Sequence, residues 1–109
     1  MPYVSITGLR IKHPLMAPLF AWHAFRSMQQ ALRTPTCQLA TARRIEGVSH
    51  TLTIWDNRQA MLAFLTSGAH REAMRAFTRI GTGYGFGYEA DGVPSWDEVH
   101  RRWLEKGST

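Results

Sequence analysis

Residues able to do chemistry are few in this chain, and their spacing limits what that chemistry could be. His70 lies in "SGAHREAMRAF" (67–77), four residues before Met74 and seven before Phe77. Spacing of i, i+4, i+7 places all three on one helical face. An inward imidazole there could ligate a metal or relay a proton, so His70 is the candidate catalytic residue. The plainer reading is a hydrogen-bonded, partly buried histidine. In "AWHAFR" (21–26), Trp22 and His23 sit on a crowded apolar segment, with Arg26 one turn on, where a guanidinium could meet a ligand carboxylate. The plainer reading there is core plus surface, since arginine buries its stem and keeps its charge in water. Trp22, His23, Arg26, Phe64 and Met74 together form the candidate ligand-binding set. His13 and His100 belong to no constellation. Paired carboxylates, Ser/His/Asp spacing and Cys/His zinc patterns are all missing, so no metal ligand is assigned. Cys37, a lone thiol at a strand start, reads as a small apolar residue rather than a nucleophile.

The elements that must position these residues follow from periodicity. "YVSITGLRIK" (3–12) alternates in part and reads as a strand. Pro14 opens a helix to about Arg33, with Leu15, Leu19, Trp22 and Phe25 as one stripe continued by Met28 and Leu32. Its first half is apolar nearly all round, so it needs cover on more than one side, from another subunit or a ligand. "TPT" (34–36) stops it. Two strands, 37–47 and 48–56, meet at a short turn near Glu46-Gly47. His50 shares one face of the second with Leu52 and Ile54; Trp55 shares the other with Thr51 and Thr53. Asp56 is the expected helix N-cap, with Gln59 as its capping-box partner. That helix carries Met61, Phe64 and Leu65 and ends at Ser67-Gly68, and a short helix over 69–77 follows. "PSWDEVHRRWLEK" (94–106) is a last helix, with Ser95 as N-cap and Glu98 closing the box.

Between the last two helices lies "GTGYGFGYE" (81–89), with glycine at every second position and aromatics between. A phosphate loop needs other spacing and a following helix. The stretch resembles the longer motif of RNA-recognition domains. However, Ser5 and Glu89 stand where aromatics belong, and the motif falls on the fourth strand instead of the third. A strand is the reading left, and no nucleic-acid partner is expected. Glycine weakens a strand, so four on one face mark close approach by a helix, a partner or a flat ligand, with tight helix-on-sheet packing as the plain expectation. Tyr84, Phe86 and Tyr88 would face the opposing sheet of a dimer. The full order predicts an α+β, ferredoxin-like βαββαβ domain over 1–109, a four-stranded antiparallel sheet plus a C-terminal helix.

Composition agrees with one modest globular core: 109 residues, 44% of them hydrophobic. The formal charge of +5 comes from eleven arginines and two lysines against eight acids. Such a balance suits acidic partners or an anionic membrane surface. One cysteine and no signal-peptide pattern give a cytoplasmic expectation. The longest near-apolar run, 14–25, is too short to span a bilayer. The basic, apolar first helix allows peripheral membrane contact.

One resemblance covers most of the chain. "HTLTIWDNRQAMLAFLTSGAHREAMRAF" (50–77) looks like the third-strand and second-helix segment of the dimeric α+β barrel superfamily, which includes antibiotic-biosynthesis-type, haem-degrading and spheroidene monooxygenases. The T-x-[ST]-x-W strand end, the A-M-x-x-F helix, the G-A-H turn and "SITGLR" (5–10) are similar in style to the spheroidene-monooxygenase-like group. The resemblance implies a homodimer with sheets paired face to face, and a pocket in each subunit between sheet and helices. It also implies an oxygenase acting on an apolar or aromatic small molecule, with haem as a possible cofactor and Arg26 as a partner for a propionate. Haem-degrading members use an asparagine on the first strand and a tryptophan and a histidine on the second helix. The matching positions here hold Thr7 or Gly8, Phe64 and Met74, none of which fits that pattern. The alternative is a non-catalytic binding module for a small apolar molecule or a membrane.

Overall fold

The computed structural model describes residues 2–66 and 68–107, with side chains at all of these except 69, 70, 73 and 78. Its first strand, β1 (Tyr3–Ile11), leads through a 3-10 turn at Pro14–Met16 into α1 (Ala17–Leu32). The His13 ring accepts a bond from the Leu15 N–H at 3.2 Å and so caps that turn. Helix α1 stops at "TPT", where the Thr34 hydroxyl donates to the Gln30 carbonyl at 2.7 Å. Strands β2 (Cys37–Ile45) and β3 (Val48–Trp55) form the expected hairpin. Glu46 and Gly47 both take positive φ, 49° and 79°, as a type I′ connection requires.

Helix α2 (Arg58–Leu65) begins one residue later than the sequence implied. Asn57, not Asp56, is the N-cap: its side-chain oxygen accepts from the Ala60 N–H at 2.9 Å. Asp56 instead accepts from the Gln38 amide at 3.0 Å. Gly68 has φ of 51°, and an added Cβ would sit 2.7 Å from Gln30 Oε1, so glycine is needed at this break. Helix α3 (Gly68–Ile80) runs three residues beyond the predicted 69–77 and passes directly into β4 (Gly81–Glu89). In α4 (Trp96–Gly107) the Glu98 N–H bonds Ser95 Oγ at 3.2 Å. The Glu98 carboxylate turns to Arg101 and Arg102, at 3.8 and 3.9 Å, instead of closing the box.

The sheet is antiparallel, in the order β2-β3-β1-β4. This is the ferredoxin-like arrangement the element order predicted. Strand alternation sorts its side chains into two layers. On one face Val4, Ile6, Leu52 and Ile54 make a core with Val99 and Trp103 of α4. On the other, Ser5, Thr7, Thr51, Thr53 and Trp55 look toward α1, α2 and α3. A second core there joins Trp55 to Ala31, Met61 and Phe64.

Three expectations change. The aromatic face of β4 meets α4 of its own chain: Tyr84 stacks on Trp103, centroids 4.8 Å apart and planes 8° from parallel. The Tyr84 hydroxyl bonds the Trp103 carbonyl, and Trp103 Nε1 donates to the Tyr84 carbonyl at 3.1 Å. The glycine face of β4 meets no helix. A Cβ at Gly83 would run into the Gly8 carbonyl of β1, and one at Gly87 into the Tyr3 ring. The bare positions let β4 lie close to β1. Third, α1 turns Phe20, Ala24 and Met28 toward the sheet, while the expected stripe of Leu15, Leu19, Trp22 and Phe25 faces outward.

Candidate functional site

Between the sheet and its three helices lies a cavity of about 650 Å³. Two properties of the sequence build it. Alternation in β1 and β3 brings a row of hydroxyls, Ser5, Thr7, Ser49, Thr51 and Thr53, to the same face. The glycines of β4 continue that floor without side chains. Helical spacing then lays an apolar roof over it. Phe20, Ala24 and Met28 come from α1, Met61 and Phe64 from α2, and Met74 and Phe77 from α3. Ring pairs tie the roof together: Phe20 to Phe77 at 5.3 Å, and Phe64 to Trp55 at 4.7 Å.

The floor has a definite hydrogen-bonding capacity. Thr7 and Thr51 share one bond between their hydroxyls, which uses one of their two protons and leaves the other for a guest. Thr53 Oγ1 accepts from Trp55 Nε1 at 2.9 Å, so its own proton is also available. An apolar roof over a donor-bearing floor suits a flat molecule with oxygen at one edge or face.

The opposite face of the sheet holds a polar chain that the sequence did not reveal. His50 is fully buried and donates from Nδ1 to the Thr7 carbonyl at 3.0 Å, since a carbonyl only accepts. Its Nε2 is then the acceptor for His100 Nδ1–H, 2.8 Å away. His100 Nε2 in turn lies 3.1 Å from Glu46 Oε2. Burial pushes the His50 ring below its ordinary value; the bond to Thr7 opposes this, and His100 and Arg10 add to the lowering. The chain ties α4 and the β2–β3 turn to the backbone of Thr7, whose hydroxyl forms part of the cavity floor. His100, which had no partner in the sequence reading, owes its role to a contact fifty residues away. The available signal was only that His50 belongs to the Leu52–Ile54 face.

The candidate residues named from sequence divide. Phe64 and Met74 stand on the cavity wall. Trp22, His23 and Arg26 do not reach it, because α1 presents its other side to the sheet. Trp22 is exposed, with Arg26 over its ring at 5.7 Å, and Arg26 pairs with Glu72 at 3.0 Å. His23 lines a shallow outer groove with Leu19, Glu72, Arg75 and Arg79. His70 falls on α3, but its side chain lies outside the described residues. The Cys37 thiol donates to the Leu39 carbonyl at 3.3 Å, and burial pushes it up, away from thiolate character. Ser5, Thr7, Thr51 and Thr53 join the candidate set as floor donors.

The described donors do not fit haem. Among the described lining residues there is no imidazole, thiolate or carboxylate. The Tyr84 hydroxyl is engaged by Trp103, which among the described residues leaves methionine thioethers for the iron. Among the described lining residues Lys12 is the one cation, against the two propionates of a haem. Among the described residues, no three His, Cys, Asp or Glu side chains form a metal-binding group.

No family model and no curated protein sequence matches the chain. Solved structures do match its fold. A protein of Mycobacterium tuberculosis superposes with a TM-score of 0.77 at 10% identity, over 87% of this chain and 100% of that one. A variant of SnoaB, a cofactor-independent oxygenase from Streptomyces nogalater, gives 0.71 at 13% identity, over 86% and 98%. An antibiotic biosynthesis monooxygenase gives 0.70 at 16% identity, over 86% and 100%. The chain therefore has the fold of antibiotic-biosynthesis-monooxygenase-like proteins.

Proposed function

We propose that this monooxygenase-like fold binds a flat, largely apolar aromatic molecule in the cavity, its oxygen substituents against the hydroxyl floor and its rings under the phenylalanine roof. One observation carries the reading. Strand alternation gives a row of hydroxyls beneath an apolar roof, in a volume typical of small-molecule sites. A spheroidene-type reaction would bring haem, and the described donors do not support it. The cofactor-independent oxygenase of the same fold supports a different chemistry. There the ligand itself, as an enolate or phenolate, would supply the electrons that O₂ takes up. The proton that the Thr7–Thr51 pair leaves free, with that of Thr53, would stabilise that anion, and Met28, Phe64 and Phe77 would keep water from it.

A second reading has its own support. No described lining residue is a carboxylate or imidazole able to act as general base, which favours a binding module that leaves its guest unchanged. A homodimer remains part of either reading. Titration with a tricyclic phenol, followed by emission of the cavity-lining Trp55, tests the site. Saturable quenching that Ala24→Phe abolishes, with O₂ uptake in air, supports the oxygenase. Quenching without uptake selects the binding module. No saturable binding of any aromatic phenol removes both. Sedimentation equilibrium at a single-chain mass would remove the homodimer.

A further inference from the structure

The charge of this protein lies almost entirely on one side. Residues 14–33 and 58–80, which make the helix layer, hold six of the thirteen cations: Arg26, Arg33, Arg58, Arg71, Arg75 and Arg79. They hold one of the eight acids, Glu72, and that one is bonded to Arg26. The seven cations elsewhere are matched by seven acids. The helix layer thus carries the whole formal charge of +5, and the sheet and α4 carry none.

The same layer exposes most of the large apolar side chains. Of the ten such exposed residues among those described, seven belong to it. Leu15, Leu19 and Trp22 of the 3-10 turn and α1 follow i, i+4, i+7, with Phe25 and Leu32 beside them. Leu15 is 83% exposed, Trp22 57% and Phe25 58%. Leu19 borders the groove shared with Arg75 and Arg79 of α3, and Arg26 lies over the Trp22 ring, so the apolar and basic groups form one continuous surface.

We infer that this face docks on an anionic lipid bilayer, with Leu15, Leu19, Trp22 and Phe25 at the acyl boundary and the arginines of α1 and α3 among the headgroups. Tryptophan and arginine flanking aliphatic side chains are the composition of an interfacial helix. The arginines meet the negative surface potential of such a membrane. A second copy of the chain is the poorer occupant. A two-fold interface puts the same patch on both sides, and this patch would set its full positive charge against itself. Nucleic acid would take the arginines and leave the aliphatic stripe uncovered. No described helix is long and apolar enough to cross a membrane, so the contact is peripheral.

Vesicles of phosphatidylcholine with and without phosphatidylserine test this by co-sedimentation. The full chain should pellet with the anionic vesicles and weaken as salt rises, and stay in solution with neutral ones. Arg75→Gln with Arg79→Gln should lower binding about 25-fold, on the order of fivefold for each arginine near the surface. Trp22→Ser with Phe25→Ser should abolish binding; both side chains are exposed, and far-ultraviolet circular dichroism checks that the fold is kept. Brominated lipid should quench emission in wild type and not in Trp22→Leu. Wild-type protein left in the supernatant at low salt overturns the inference. So does equal pelleting of the serine variant, or a dimer that this variant splits into monomers, which would make the face an interface between copies. Retention on RNA that competes with vesicles only through the arginines, unaffected by Trp22→Ser, also overturns it.

Discussion

Adding one methyl group at Gly83 separates close strand packing from an open ligand floor as the reason for the glycine row. An alanine Cβ at Gly83 would lie inside contact distance of the Gly8 carbonyl and 2.8 Å from Leu9 Cα. Both are backbone atoms of β1, held within a nine-pair ladder from Tyr3↔Glu89 to Ile11↔Gly81, so neither can turn aside. Relief requires β4 to move outward. Overpacking costs about 1–3 kcal/mol, here at the upper end because no side chain can yield. Loss of one ladder hydrogen bond adds about 0.5–1.5 kcal/mol. Gly83→Ala should therefore cost about 3–4 kcal/mol, or a melting point lower by roughly 12 °C or more in a chain of this size. Gly85→Ala is the control. Its Cβ would meet Thr7 Cγ2 at 3.1 Å and the Ile6 carbonyl at 3.2 Å, which a shift of a few tenths of an ångström relieves. The reduced entropy of the unfolded chain offsets about 0.4–1 kcal/mol, so this variant should stay within about 1 kcal/mol of wild type. Urea titration at constant slope measures both. Equal midpoints for Gly83→Ala and wild type, or equal losses in the two variants, would refute close approach as the reason for the row.

Three other outcomes follow from the same geometry. Trp103→Ala removes the ring that stacks on Tyr84 and backs His50, at a cost of about 3–5 kcal/mol, and hydrogen exchange should quicken in α4 before β3; uniform exchange would contradict this. Thr51→Val should weaken binding of an aromatic phenol about five- to tenfold and leave its deoxy analogue unchanged; equal losses for the two ligands would remove Thr51 from recognition. Because burial holds His50 below its ordinary value, the unfolded chain binds the extra proton first, near pH 6.5, and stability contributed at this site is lost as pH falls below that. Arg10 and His100 act on the ring and Glu46 lies beyond His100, so the comparison is with His50→Gln: wild type should lose more stability between about pH 7.5 and pH 5.5, and parallel losses would count against the assignment.

The fold was legible because it rests on local signals. Alternation in β1, the Glu46-Gly47 turn, the Ser95 cap and the break at Gly68 each act within a few residues, and each is where the sequence places it. The N-cap error at Asp56 is of the same local kind: two neighbouring residues can both cap, and the Gln38 amide of β2 takes the first of them. The candidate site was less legible because it depends on partners far along the chain. Thr51 and Thr53 read as the polar positions of a half-buried strand. Only the pairing of β3 with β1 sets Thr51 opposite Thr7 and makes the row a floor.

Helix α1 shows most clearly where sequence pattern runs out. Two apolar stripes compete for burial: Leu15, Leu19, Trp22 and Phe25, and Phe20, Ala24, Met28 and Ala31. The first is bulkier, and hydrophobicity alone would bury it. The sheet admits the second because small residues at Ala24 and Ala31 let the helix settle over the hydroxyl floor, with Ala31 buried against Trp55. Placing Trp22 and Phe25 inward would fill the space that is now the cavity. The bulky stripe is therefore left outside by the same choice that opens the cavity. Trp22, His23 and Arg26, the α1 part of the ligand site read from sequence, became the surface facing the arginines of α3, and α1's share of the pocket fell to Phe20, Ala24 and Met28, whose hydropathy gave no sign of it.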